Sequence, residues 1–392
     1  MELVGKLLNA RGEIVGGGLE LDDAGVITRV LPATGEEEGW ILPGLIDVHC
    51  HGGGGASFPD VTSEEEVRTA IEAHRSLGTT AMLASLVSMV DPVPVIEKLV
   101  PFCESGELLG IHMEGPYISP HKVGAQNPAA VRGADLDELR RWLEAGKGHI
   151  KTMTIAPEAE NAVAAARLLL DYGAKPSWGH TSATTEEAEG AIALTTAYAE
   201  EIGFPAPAQT ATHLFNAMPS LLHRAPGPVR ALTAGARKGD VAVELVADTV
   251  HVDPRLVSDV VEFVGAKGEP SSVLFVTDAM SGAGMPDGSY VLGSLAVTIS
   301  DGVARLTDGG AIAGGTSRLV EQIQKMVRGE CLSLAKAVES CVAGPAYALH
   351  LNGSEQGVTL EFTPGEAVNL VVLNENLDFV SAFREGVAIA GE

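Results

Sequence analysis

The chain has 392 residues, 45% of them apolar and 20% charged, a globular composition that excludes intrinsic disorder. Lys and Arg number 26 against 52 Asp and Glu, giving a net charge of −26. So acidic a surface repels phosphate backbones and anionic lipid, which excludes nucleic acids and membrane surfaces as partners.

The N-terminal Met1–Lys6 has no basic segment leading into a long apolar one, and no run of about 18 apolar residues follows anywhere. A soluble cytoplasmic protein is expected. The first 40 residues predict short strands broken by turns at Gly16–Gly18, Asp22–Gly25 and Gly35–Gly39. From Ile46 the rhythm changes. Apolar runs predict strands over Ile46–His51, Thr80–Leu86, Leu109–Glu114, Lys151–Ala156, Lys175–His180, Ala211–Leu214, Ala242–Val246 and Val273–Thr277. Helical periodicity lies between most of them, over Ser63–Leu77, Ala159–Tyr172, Thr185–Glu201 and Pro254–Gly265. Eight strand-then-helix units predict an α/β fold, a (β/α)8 TIM-like barrel over residues 46–344. Strand-like segments return at Gly357–Glu361, Val368–Leu373 and Phe379–Ala382. Residues 1–45 and 345–392 are therefore expected to pair into one small β-sandwich domain beside the barrel.

Chemistry-bearing residues cluster where the predicted strands end, the face on which barrel enzymes build their sites. His49 and His51 are two apart on a strand and share a face. Gly52–Gly55 follow them, a backbone able to fold closely over a ligand. Cys50, between the two, should face the barrel wall as a small apolar residue; Cys103, Cys331 and Cys341 are too scattered for a zinc knuckle or a disulfide framework. Glu114 closes an apolar strand with no Lys or Arg in its segment, so it needs a cation. His112 is expected to point to the opposite face and to be structural. His180, His213 and Asp278 end three further strands. Imidazoles and carboxylates of this kind are the usual ligands of Zn²⁺ or Fe²⁺ in hydrolases, which points to a divalent metal site with an open position. Asp278, last in the set, is the candidate proton acceptor and donor. A serine nucleophile elbow and a dinucleotide fingerprint are both absent.

The segments PGLIDVHCHGGGG, GIHMEGPYISPHKVGAQNPA, WGHTSAT, THLFNAMPSLLHRAPG, VADTVHVDP, VTDAMSGAGMPDGSY and AIAGGT carry a resemblance from Pro43 to Thr316. The chain resembles the amidohydrolase superfamily and, within it, the N-acetylglucosamine-6-phosphate deacetylase family. The resemblance implies Glu114, His180 and His213 as the main metal ligands, with His49 and His51 holding a second ion bridged by Glu114. One or two divalent ions per subunit follow, Zn²⁺ first, with Fe²⁺ or Co²⁺ as alternatives. It implies Asp278 as the catalytic acid and base. Ala125, Gln126, Asn216, Ala217, Ile312, Ala313 and Gly314 match sugar-contacting positions. Gln126 stands where some members have His, and glutamine donates a hydrogen bond without carrying charge. His251 and Arg224 match a phosphate-binding pair, with Arg224 reaching the neighbouring active site of a homodimer. The implied reaction is metal-dependent hydrolysis of the acetamide of N-acetyl-D-glucosamine 6-phosphate in amino-sugar catabolism or cell-wall recycling. The rivals are a related amidohydrolase acting on N-acetylgalactosamine 6-phosphate or a cyclic amide, and a silent barrel used for binding.

Overall fold

The computed structural model describes residues 1–266 and 272–390. Strand Thr79–Leu86 is buried along its whole length. A parallel strand must be so when helices cover one side and other strands' side chains fill the other. Seven more strands behave alike, Lys151 being the one half-buried exception, and they follow in chain order around one sheet. We number them β1 (Leu45–Asp47), β2 (Thr79–Leu86), β3 (Gly110–Glu114), β4 (Ile150–Ile155), β5 (Lys175–Trp178), β6 (Thr210–Ala211), β7 (Ala242–Leu245) and β8 (Val273–Phe275). Helices on the outside begin with capping boxes at Ser63 and Glu66 and at Thr184 and Glu187, which satisfy the free N–H groups of the first turn. The architecture is the expected α/β barrel.

The barrel closes between β1 and β8. Asp278 N–H donates to His49 O at 2.8 Å, and His51 N–H to Ala279 O at 2.8 Å. Thr277 Oγ1 donates to Asp47 Oδ2 at 2.6 Å, and Asp47 Oδ1 accepts the His49 N–H at 3.2 Å. This seam sets the register of the residues that follow each strand.

Both chain ends build a second, seven-stranded sheet. Glu2–Leu8, Ile14–Leu21, Ile27–Leu31 and Trp40–Pro43 join Leu370–Leu373, Phe379–Arg384 and Val387–Ala390. The two ends meet where Leu370–Leu373 runs antiparallel to Trp40–Pro43, with Val371 opposite Leu42. Leu7, Leu19, Ile41, Leu370 and Phe383 share a core of their own. Segment 357–361, expected as a strand, is irregular. Gly357 turns with φ +82°, and the segment spends its carbonyls elsewhere, Gly357 O on Thr80 Oγ1 and Leu360 O on Ala10 N. A three-stranded antiparallel insertion, Gly288–Leu292, Leu295–Ser300 and Val303–Leu306, was not foreseen. It stands over the C-terminal mouth of the barrel, its tip held by Gly293 N–H donating to Asp60 Oδ2 at 3.0 Å.

Burial outweighs the Thr277 and backbone hydrogen bonds and pushes the Asp47 carboxyl up to about 6. The folded chain thus keeps a proton that the unfolded chain releases near 3.8. Asp47's contribution to stability is fully present below that lower value and is lost as pH rises through about 6. Thermal unfolding of Asp47→Asn at about pH 4 and about pH 7 should show a smaller drop in stability between the two than the wild type. An equal drop in both proteins would assign the pH dependence to other groups.

Candidate active site

Five residues project into the barrel mouth from just past the strand ends or at them. Glu114 ends β3, His49 and His51 follow β1, His180 follows β5, and His213 follows β6. Three of the strands stop earlier than periodicity suggests, because the chain turns into the left-handed region at the functional residue itself. His180 has φ +47°, His213 φ +26° and Asp278 φ +47°. Non-glycine residues hold such conformations only where surrounding contacts fix them, and they concentrate at functional sites.

Glu114 is the hub. Its Oε1 lies 2.9 Å from His180 Nε2 and 2.8 Å from His213 Nε2. Its Oε2 lies 3.1 Å from His51 Nε2, and Gln126 Nε2 donates to it at 2.5 Å. Asp278 Oδ1 stands 3.4 Å from His49 Nε2 and 3.3 Å from His51 Nε2. The donor atoms of Glu114, His180 and His213 lie within 4.8 Å of one another, as do those of His49, His51 and Asp278. Two pairs of imidazole nitrogens, His49 with His51 and His180 with His213, approach to 3.1 Å. Nitrogens that face each other this closely in a buried place fit lone pairs directed at a shared cation. The donor set suits a divalent metal.

The electrostatics agree. Burial alone would raise Glu114, but His180, His213 and His49 hold it well below the usual carboxylate range. Burial would likewise raise Asp278, and His49 and His51 reverse it, leaving its carboxyl strongly lowered. Burial would lower His49, and the carboxylates of Glu244, Asp278 and Glu114 raise it instead. These carboxylates require positive charge. No Lys or Arg lines the cavity among the described residues.

The cavity measures about 240 Å³. His51, Glu114, Ala125, Gln126, His180, His213, Asn216, Ala217, His251, Asp278, Ile312 and Gly314 all border it. His49 lies beneath this lining, fully buried. Ala313 does not reach the cavity. Its methyl packs with Leu292 and Ile299 in the insertion's core. Arg224 sits on an exposed loop and does not border the cavity of its own chain. His251 donates from Nδ1 to Asp248 Oδ2 at 2.8 Å, leaving Nε2 3.9 Å from Asp278 Oδ2. Both amide atoms of Gln126 are engaged, its Oε1 accepting the Ser88 N–H at 2.5 Å.

His112 corrects the expectation that it faces away from Glu114. Residues two apart share a face, and His112 points into the barrel one layer below. Its Nδ1 pairs with Ser85 Oγ at 3.0 Å, its Nε2 with Thr154 Oγ1 at 2.9 Å, and its ring packs edge-on against His49 with centroids 4.4 Å apart. Cys50 does face away, its Sγ 3.3 Å from His74 Nε2. Sequence reasoning overlooked Glu244, which β7 buries beside His49 with Oε2 2.9 Å from His49 Nδ1. The signal was available: a lone carboxylate inside the apolar run Val243–Val246, the same sign that singled out Glu114.

Residues 40–383 match the model of the amidohydrolase family, and the chain belongs to that family. It is 34% identical over 297 residues to the N-acetylglucosamine-6-phosphate deacetylase of Bacillus subtilis (strain 168), covering 73% of this chain and 69% of the relative. It is 29% identical over 393 residues to the N-acetylgalactosamine-6-phosphate deacetylase of Escherichia coli O157:H7, covering 97% of each. A mutant N-acetyl-D-glucosamine-6-phosphate deacetylase from Mycobacterium smegmatis, solved in complex with N-acetyl-D-glucosamine-6-phosphate, superposes with TM-score 0.85 at 31% identity, over 100% of this chain and 99% of that one.

Gln126→Leu should keep the fold but leave Glu114 Oε2 and the Ser88 N–H each short of a partner. Metal retained after dialysis should then show roughly 10-fold weaker binding; unchanged retention would make Gln126 irrelevant to Glu114.

Proposed function

We propose that this chain hydrolyses the acetamide of N-acetyl-D-glucosamine 6-phosphate to D-glucosamine 6-phosphate and acetate. The observation that carries this reading is the convergence of Glu114, His51, His180, His213 and Asp278 on one cavity, in a chain related over most of its length to sugar-phosphate deacetylases. Glu114, His180 and His213 would hold one divalent cation, and His49 and His51, sharing Glu114, a second. Zn²⁺ is the ion assigned, with Fe²⁺ and Co²⁺ accepted by the same donors. Such an ion polarises a carbonyl and brings the pKa of a water molecule toward neutrality.

The protein's own groups supply the rest. Asp278, lowered by His49 and His51, stands ready as a carboxylate to take the proton of the attacking water. It returns that proton to the nitrogen as the carbon–nitrogen bond breaks, so that the amine leaves neutral. Asn216, Ala217, Ile312 and Gly314 border the space for the sugar, and Leu292 of the insertion adds an apolar wall to it.

The phosphate needs more positive charge than the cavity walls of one chain, which hold no Lys or Arg among the described residues, provide. His251, raised by Asp248 against the effect of burial, supplies one charge. Arg224 of a second copy supplies the other in this reading, through a planar fork that suits bidentate phosphate capture. Leu221 and Leu222 beside it are 56% and 57% exposed, an apolar pair that a subunit contact would cover. The protein is therefore proposed as a homodimer.

Asp278→Asn should retain its metal and lose about 10²- to 10⁴-fold in turnover, measured as acetate release. Near-wild-type turnover would remove Asp278 from the role. Arg224→Ala should raise KM for the 6-phosphorylated sugar and leave hydrolysis of the unphosphorylated sugar unchanged. A panel of the two 6-phosphate epimers in the same assay decides between glucosamine and galactosamine substrates. Indifference to the phosphate would sink the sugar-phosphate assignment.

A further inference from the structure

We propose that Glu244 is the positioning residue that makes His49 a ligand and thereby fits the site for its second cation. This rests on the two-cation reading above. Glu244 is buried on β7, facing the barrel interior, and one oxygen serves both halves of the site. Its Oε2 accepts the His49 Nδ1–H at 2.9 Å and the His213 main-chain N–H at 3.0 Å.

The first contact fixes a tautomer. With Nδ1–H committed to Glu244, the lone pair of His49 sits on Nε2. That nitrogen faces His51 Nε2 at 3.1 Å, Asp278 Oδ1 at 3.4 Å and Glu114 Oε1 at 3.8 Å, the point where a second cation would lie. The second contact pins the main chain at His213, whose φ of +26° needs such an anchor.

The four imidazoles are not backed alike. His51 Nδ1 contacts Ser85 O at 3.2 Å, and His180 Nδ1 contacts Lys122 O at 2.8 Å. His213 Nδ1 is buried without a partner. Only His49 of the four is backed by a carboxylate, the arrangement that most increases the basicity of a metal-binding imidazole. The asymmetry favours the His49 and His51 half, which the cluster of Glu114, His180 and His213 does not need in order to hold its own ion.

The test compares Glu244→Gln and Glu244→Met with the wild type. Glutamine keeps an acceptor oxygen and removes the charge; methionine removes both. Each protein is loaded with Co²⁺, dialysed against graded chelator, and scored for metal per subunit and for its visible absorption, with circular dichroism as the check on folding. The wild type should hold two ions. Glutamine, which still accepts the His213 N–H, should keep the ion of Glu114, His180 and His213 with its spectrum unchanged and release the second at roughly 10- to 100-fold lower chelator strength; methionine should release the second more readily still and, with the His213 anchor gone, also shift the spectrum of the first. If the methionine variant does not fold, the glutamine variant decides alone. Second-ion binding as tight as wild type in Glu244→Gln overturns the role of Glu244. A wild type that holds fewer than two ions overturns the two-cation reading instead.

Discussion

Three carboxylates, Glu114, Glu244 and Asp278, are gathered with five histidines in the barrel mouth, and among the described residues no Lys or Arg lines the cavity between them. Buried negative charge is tolerated only beside a compensating positive one. That requirement organises everything around it. It raises the buried imidazoles His49 and His51 and lowers Glu114 and Asp278. It also bears on how a chain of net charge −26 would take an anionic substrate: attraction would rest on the proposed metal centre, His251 and Arg224.

Such a cluster works only if its geometry is held from outside. The closing seam past the ends of β1 and β8 ties Asp278 N–H to His49 O, so the proposed proton carrier and a proposed ligand are joined main chain to main chain. Gly314 and Gly315 come close behind it. Gly315 N–H donates to Asp278 O, and a side chain at Gly315 would meet Thr277 O at 2.2 Å. Below, His112, Ser85 and Thr154 form a polar floor that supports the His49 ring. The site is thus built between two layers, a hydrogen-bonded floor and a β insertion as its roof.

Much of this was legible in the chain. Two histidines two residues apart on a strand must share a face, and a carboxylate ending an apolar strand must find a cation; both statements are local. The alternation of apolar runs with helical periods was enough for the barrel. The same spacing rule applied to His112 puts it with Glu114 and not against it. What local reasoning could not reach depends on which distant segments meet. Glu244 matters only because β7 brings it against His49, 195 residues earlier. The insertion of Gly288–Leu306 reads as ordinary turns and short runs, and only packing over the barrel mouth gives it meaning. Segment 357–361 has strand-like composition yet binds its carbonyls to two different elements, a tertiary demand that overrides β propensity.

The sheet made from both chain ends has a consequence for how the molecule comes into being. On the ribosome, strand Trp40–Pro43 emerges with one edge unpaired, because its neighbour Leu370–Leu373 is the antiparallel partner on that side. Nearly the whole barrel must be synthesised before that partner arrives. Pairings this distant in sequence are slow to form, and open strand edges invite association with other chains. The N-terminal strands therefore wait on the last ones, and a chain cut short before Leu370 would carry a complete set of proposed ligands beside a sheet that cannot close.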